Sequence, residues 1–308
     1  NTACGISALA NNTADNNTAT GANALNFNST GIKNTADGNF ALQFNTIGSQ
    51  NTSVGYFSLH NTSASDGNTA VGYGAGYIFN NGYYNVFIGA NTDVNGSDYY
   101  NVISIGQGTI CTAPSQVTMG NSATNSYRAY ANWSNISDGR YKKNMKEDVP
   151  GLQFINKLKP VTYTLNATAI DNFLHKNIPA DKNLSAEGKA VMDKGFKEKE
   201  QIRYTGFVAQ DVETAAKELN YDFSGVDAAK NENDLYGLRY AEFVVPLVKA
   251  VQELDQNQKV EVKIQNEKIA ALQKQNELLQ KQIDELKALL ISQDSENKVD
   301  KKQTASNQ

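Results

Sequence analysis

A pentapeptide of the form Asn-Thr-Ala-X-Gly returns every 17 residues along the first third of the chain, and no other feature restricts the fold as tightly. It stands as Asn17-Thr18-Ala19-Thr20-Gly21, Asn34-Thr35-Ala36-Asp37-Gly38, Asn51-Thr52-Ser53-Val54-Gly55, Asn68-Thr69-Ala70-Val71-Gly72 and, more changed, Asn85-Val86-Phe87-Ile88-Gly89. Asn1-Thr2-Ala3-Cys4-Gly5 opens the series one residue closer, and Gly106 continues it after Gly89. A weaker copy lies between the units as Asn28-Ser29-Thr30-Gly31 and Asn45-Thr46-Ile47-Gly48. A fixed period with small residues is the mark of a solenoid in which each coil stacks on the last.

Within a unit the apolar residues alternate, as in Thr69, Val71 and Tyr73 or Val86, Ile88 and Ala90. That two-residue period predicts strands and argues against helices. The Gly and Asn residues are expected to supply turns, because Gly accepts positive φ and Asn bonds its own backbone. A single coil buries little, since its inward residues are often Ala or Thr, so the expected assembly is an oligomer with three chains sharing a core. Tyr56, Phe57, Tyr73, Tyr77, Phe79, Tyr83, Tyr84 and Phe87 offer either a stacking surface for a receptor or glycan, or the core of that trimer.

Charge divides the chain near Trp133. Residues 1–136 hold only Lys33 and Arg128 against Asp15, Asp37, Asp66, Asp93 and Asp98, and the other 26 of the 28 Lys and Arg residues lie downstream. So abrupt a change within 308 residues marks a domain boundary. A net charge of -4 with no Arg/Lys stripe excludes a dedicated nucleic-acid surface. No apolar stretch approaches the roughly 20 residues that span a bilayer, so no direct membrane insertion is expected. The opening at Asn1, without Met, predicts a fragment or a processed product. Cys4 and Cys111 sit in different repeats and read as structural thiols rather than a disulfide framework. His60 and His175 have no second His at ligand spacing, so no metal and no cofactor is assigned. The scattered upstream Asp residues do not form the paired carboxylates of a glycoside hydrolase.

At the charge boundary stands Ser137-Asp138-Gly139-Arg140-Tyr141-Lys142. Ser137 and Lys142 are five residues apart, a spacing that a turn through Gly139 can close. A lysine serves as general base toward a serine only when burial or nearby positive charge lowers its pKa from about 10.4, and Arg140 or Lys143 can supply the charge. Asp138 and Arg140 either fix the turn by a salt bridge or help polarise the carbonyl of Ile136. The plain alternative is an ordinary polar linker.

Further on, Phe154-Ile155-Asn156-Lys157-Leu158 reads as a short helix and Pro160 through Leu165 alternates like a strand, giving a small α+β domain. Residues 166–200 read as a long polar excursion between core elements, either a solvated loop or a segment that contacts the nascent fibre. Asp211 through Leu219 reads as a helix with Val212, Ala215, Ala216 and Leu219 on one side, and Gln210 and Asp211 as cap and packing residues. From Val248 a heptad series places Val248, Asp255, Val262, Ile269, Asn276, Ile283 and Leu290 at a, and Val251, Gln258, Gln265, Leu272, Leu279 and Leu286 at d. This predicts a coiled coil, whose β-branched a and Leu d residues by themselves favour two strands.

Four ordered stretches carry a family resemblance. They are Ser137-Asp138-Gly139-Arg140-Tyr141-Lys142-Lys143-Asn144, Leu158-Lys159-Pro160-Val161-Thr162-Tyr163, Tyr204-Thr205-Gly206-Phe207-Val208-Ala209-Gln210-Asp211-Val212, and Tyr240-Ala241-Glu242-Phe243-Val244-Val245-Pro246-Leu247 with its continuation to Leu254. From Ser137 to about Glu253 the sequence resembles the C-terminal intramolecular chaperone of endosialidase-type phage tailspikes and tail fibres, peptidase family S74. The upstream repeats resemble the heads of trimeric adhesins and the shafts of tail-fibre-like proteins.

The resemblance implies a chaperone that trimerises the upstream fibre and then cuts the bond before its serine. On this chain the scissile bond would be Ile136-Ser137, with Ser137 as nucleophile, Lys142 as general base, and Asp138 and Arg140 in support. Some members carry a histidine before the serine, where Ile136 stands here. The resemblance also implies three coiled-coil strands rather than two. The expected architecture is a mainly β, trimeric solenoid or β-roll over residues 1–126, a linker over 127–136, an α+β chaperone and autoprotease domain over 137–246, a trimeric coiled coil over 247–292 and a disordered tail over 293–308. Expected partners are further copies of the chain and a host-surface receptor or glycan. The expected location is a virion tail fibre or, alternatively, an extracellular or bacterial cell surface. The alternative function is a trimerisation cap that never cuts.

Overall fold

Each copy of the pentapeptide folds as one three-residue strand, and the copies stack in parallel. In this computed structural model, which describes residues 1–177 and 186–305 with side chains of the last helix to residue 293, β1 (Thr2–Cys4), β2 (Thr18–Thr20), β3 (Thr35–Asp37), β4 (Thr52–Val54), β5 (Thr69–Val71), β7 (Val86–Ile88), β10 (Ile103–Ile105) and β12 (Val117–Met119) form one eight-stranded sheet in that order. Thr18 faces Thr35 and Thr35 faces Thr52, so the register advances by the sequence period. The last step, Ile103 to Val117, is shorter. Two further walls of the coil are β6 (Gly82–Tyr83) beside β9 (Tyr99–Tyr100), and β8 (Asp93–Val94) beside β11 (Ile110–Cys111).

Asn28 and Asn45 of the weaker copies bond their own turns at the Gly31 and Gly48 carbonyls, whereas the leading asparagine of each repeat also reaches the next coil. The backbone N–H of Asn34 donates to Asn17 Oδ1 at 2.9 Å, and the same bond recurs from Asn51 to Asn34, Asn68 to Asn51, Asn85 to Asn68 and Val102 to Asn85 at 2.9–3.0 Å. Each side-chain amide also donates to a carbonyl 14 residues on, Asn34 to Gly48 and Asn51 to Ser65 among them. All five side chains are buried. Asp cannot make the donor half of this arrangement, which accounts for the residue type at a fixed place in every coil.

The core between the walls is narrow. Ala19, Ala36, Ser53, Ala70, Phe87 and Ser104, the middle residues of successive strands, face inward, with Leu25, Leu42 and Leu59 behind them. Burying each leucine contributes about 1.5–3 kcal/mol. The alternating residues Val71 and Tyr73 lie on the outer face, where Tyr56 stacks on Tyr73 at 5.7 Å. The core admits large side chains at a few places, Leu25, Leu42, Leu59, Phe79 and Phe87 among them, so Phe79 and Phe87 fill the chain's own interior rather than a stacking surface or a trimer core. Gly55 illustrates the turn requirement: its φ is 133°, and a Cβ there would stand 2.4 Å from the Gly72 carbonyl oxygen. Two coils after Leu59, Asp93 occupies the equivalent buried place; burial pushes its carboxyl up to about 7, against the backbone N–H groups of Ile78, Val94 and Phe79 that it accepts from.

The chain divides into two compact units, one of residues 1–145, the solenoid included, with 158–240 and one of 146–157 with 241–308. In the second, α1 (Leu152–Ile155) packs Phe154 against α5 (Val244–Ala305), and the N–H of Leu152 donates to Glu253 Oε2 at 2.7 Å. Along the 62-residue α5 the heptad residues Val248, Val251, Val262, Ile269, Leu272, Leu279, Ile283, Leu286 and Leu290 are exposed on the single chain, which is consistent with a coiled coil. The helix runs on through residues 293–305, where the sequence reads as a tail; residues 306–308 lie outside the described residues. No helix among the described residues is long and apolar enough to cross a membrane.

In the first unit β13 (Val161–Tyr163) pairs antiparallel with β14 (Tyr204–Gly206). Between them residues 166–200 hold α2 (Ala167–Leu174) and α3 (Ala186–Glu200), correcting the reading of this stretch as a solvated loop; its centre, 178–185, lies outside the described residues. Asn166 caps α2 by accepting from the N–H of Ala169, and Glu200 of α3 accepts from Thr168, so polar ends rather than a long apolar stripe hold these helices. The helix α4 (Ala209–Lys217) buries Val212, Ala215 and Ala216, while Gln210 and Asp211 are exposed first-turn residues and not caps. The short β15 (Val226–Asp227) and β16 (Gly237–Leu238) pair antiparallel.

This domain holds the last coils of the solenoid. Ser122 Oγ donates to Asp171 Oδ1 at 2.7 Å, Lys199 Nζ to the Thr124 carbonyl at 2.8 Å, and Asn231 Nδ2 to the Thr112 carbonyl at 2.8 Å. His175 Nε2 lies 3.0 Å from the Gly108 carbonyl and Nδ1 lies 2.9 Å from the Asp171 carbonyl and 3.3 Å from Asp171 Oδ1. Both ring nitrogens face acceptors, so only the imidazolium donates to both. Burial pushes His175 down, but the hydrogen bonds and charge of Asp171 outweigh it and raise the pKa above 6.5.

Two outcomes follow from this packing. Asn51→Leu should lower unfolding stability by about 1–3 kcal/mol for each buried group it strands, the N–H of Asn68 and the carbonyl of Ser65, measured by chemical denaturation beside the exposed control Asn80→Ala. A group whose folded pKa is raised stabilises below its unfolded value and ceases to as pH rises through the folded one. Amide exchange of α2, corrected for intrinsic rate, should therefore be better protected near pH 6 than well above the His175 transition, and His175→Ala should abolish the difference; unchanged protection in the native chain would refute the clasp.

Candidate functional site

Thr124 through Asp138 forms no helix or strand, and Gly139–Tyr141 then makes a single 3-10 turn. Asp138 starts that turn by accepting from the N–H of Arg140 at 2.9 Å, and the N–H of Lys142 closes it on the Gly139 carbonyl at 3.2 Å. The turn reverses the chain and brings its two ends together. Lys142 Nζ donates to Ser137 Oγ at 2.8 Å.

The intervening charges are spent on each other. Arg140 Nε lies 3.1 and 3.0 Å from the two Asp138 carboxylate oxygens, and Nη2 lies 2.6 Å from Oδ2. The hydrogen bonds from Arg140 hold the Asp138 carboxyl below the usual carboxylate range, and Asp138 in turn raises the pKa of Arg140. The guanidinium also lies over the Tyr141 ring at 5.7 Å. Of the two roles open to this pair, the contacts seen are those of a turn-fixing salt bridge.

Ile136, Ser137 and Lys142 are all exposed on the single chain. A Cβ added at Gly139 would meet nothing within 4 Å, so the turn stands clear of the domain behind it. As it stands the ammonium donates to the hydroxyl. A base must do the reverse: the amine accepts the hydroxyl proton, a state favoured by removal from water or by added positive charge. The chemistry open to this arrangement is attack by a serine on the carbonyl immediately before it, once a further surface dehydrates the amine and supplies an oxyanion donor.

Sequence reasoning pairs Ser137 with Lys142 and Asp138 with Arg140, and the coordinates bring each pair together. It reads residues 166–200 as either a solvated loop or a contact to the fibre, and the bonds of Asp171, His175 and Lys199 to the solenoid are of the second kind. Which residues make that contact is not legible in the sequence. Among the described residues no three His, Cys, Asp or Glu side chains gather as a metal site requires.

Comparison with known families supplies one match: residues 137–221 fit the peptidase S74 family, described as chaperone of endosialidase. The match begins at the serine of the dyad and ends before the Tyr240–Leu254 stretch. Searches of curated proteins and of solved structures found no match. A turn that opens on a serine in contact with a lysine, at the first residue of the family match and directly behind a stack of parallel coils, settles the organisation of the chain: residues 137–221 are a peptidase S74 domain, a chaperone of endosialidase, carried behind a β-solenoid.

Proposed function

We propose that the chain is the C-terminal part of a phage tail fibre or fibre-like adhesin, in which the chaperone domain drives three solenoids together and then releases itself by cutting Ile136-Ser137. The observation that carries this reading is the 2.8 Å contact between Lys142 Nζ and Ser137 Oγ at the first residue of the family match. The exposed heptad seam of α5 and the exposed outer row of the solenoid support association of three copies. That outer row, with Tyr56 and Tyr73 stacked in it, is also the surface a host receptor or glycan would meet.

The proposed reaction is a single turnover. Ser137 Oγ adds to the Ile136 carbonyl carbon as Lys142 takes the hydroxyl proton. The bond from that carbon to the Ser137 nitrogen breaks, the proton passes to the nitrogen, and Ile136 is left as an ester on Ser137 Oγ. Water adds to the ester and the serine hydroxyl leaves, giving a carboxylate at Ile136 and a free amine at Ser137. The nucleophile sits beside its target, so effective concentration replaces most of a substrate pocket. Asp138 and Arg140 hold the turn that keeps base and nucleophile together.

A second reading, a cap that never cuts, is favoured by one observation: Ile136, Ser137 and Lys142 all face water in the single chain, where nothing dehydrates the amine. Intact mass over time separates the two. The wild type should yield fragments 1–136 and 137–308, Ser137→Ala should stay whole, and Lys142→Ala should be slower by about 10²–10⁴-fold, the usual worth of a general base. An uncut wild type in a verified trimer would establish the cap, and scission in Ser137→Ala would remove the serine from the chemistry.

A further inference from the structure

Four large apolar side chains stand three residues apart between the last coil and the dyad: Tyr127, Tyr130, Trp133 and Ile136. They are 72, 113, 87 and 97% exposed. The residues between them are Arg128, Ala129, Ala131, Asn132, Ser134 and Asn135, small or polar throughout. The spacing is neither that of a strand nor that of a helix, and the segment adopts neither. It fits the three residues per turn of an extended left-handed chain, which places i and i+3 on one edge. Among the described residues the one hydrogen bond from these side chains runs from the Tyr127 hydroxyl to the Met119 carbonyl. Among the described residues the edge is left exposed from Tyr130 to Ile136, and Tyr127 is covered in part.

We infer that residues 127–136 of three copies of this chain wind together, each turning the edge formed by Tyr127, Tyr130, Trp133 and Ile136 onto a common axis. The inference rests on the trimer reading above and says where the copies meet next to the dyad. Aromatic side chains bury roughly 150–250 Å² each, so the edge offers on the order of 600 Å² per chain, close to the ~800 Å² that one partner gives to a stable interface. The occupant is the same chain because α5 carries a second uncovered seam that already favours identical copies. The one charge in the segment, Arg128, lies off the edge, so like edges do not repel.

The last rung of this edge is the residue before the scissile bond. Packing Ile136 on the axis fixes its carbonyl against Ser137 and withdraws the neighbouring turn from water, and this gives an apolar side chain a use at that place. Ile136 is thus a positioning residue, acting through the peptide it anchors.

Trp133 is the only tryptophan of the chain, so its fluorescence reads the edge directly. The full-length Ser137→Ala protein, kept whole by the substitution, should sediment as a trimer, emit to the blue of free indole and be quenched by acrylamide several-fold less than N-acetyltryptophanamide. Adding Tyr130→Ser and Ile136→Ser should return quenching toward the free value with the helical circular dichroism of α5 retained. A trimer whose Trp133 is quenched as freely as the amide would overturn the inference and leave the trimer standing, whereas a monomer would overturn both. Quenching that stays low in the doubly substituted trimer would place Trp133 in some other contact and equally refute the winding. The measurement without those two substitutions stands if the doubly substituted chain fails to fold.

Discussion

A ladder of buried asparagines fixes the pitch of this molecule. From Asn17 to Asn85 each side chain accepts from the backbone of the next coil and donates to a carbonyl 14 residues on, near the end of its own coil, so one residue type satisfies two buried backbone groups per turn. An unpaired buried N–H or carbonyl costs about 1–3 kcal/mol, comparable with the burial of a whole leucine. With so thin a core, the stack is held as much by polar satisfaction as by apolar burial. The same ladder forbids slippage, because a shift of one residue would strand every rung.

The apolar residues that stand outside the core lead to function. Val71, Tyr73 and Ile88 stand on the outer face, and the linker and α5 likewise present apolar edges left exposed among the described residues. All three are completed by further copies in the proposed fibre. The dyad shares this incompleteness. Ser137 and Lys142 touch, yet in the single chain the amine remains a hydrated donor. If one event both covers the edges and dehydrates the amine, chemistry waits for assembly without a separate regulator.

The period, the strands and the place of the dyad were legible because each is local: a fixed spacing, an alternation, and a five-residue turn. Which face of the strand turns inward was legible in part: the alanines expected inside, Ala19, Ala36 and Ala70, are buried, whereas the threonines and the alternating Val71 and Ile88 are not. Residues 166–200 hid two helices because their ends are held by Asn166 and Glu200 and their faces lack a long apolar stripe. The clasp of His175 on Gly108 joins residues 67 apart, a distance no local pattern encodes. The turn-fixing pair Asp138 and Arg140 was legible as a pair, and geometry was needed to choose between its two roles.

The central claim, that assembly completes the cleavage site, is tested most directly by the rate at which fragment 137–308 forms when the wild-type chain refolds from denaturant at a series of concentrations. The account predicts that the initial rate per chain rises steeply with concentration and that scission is confined to assembled species. Scission at the same rate per chain in dilute monomer would contradict it.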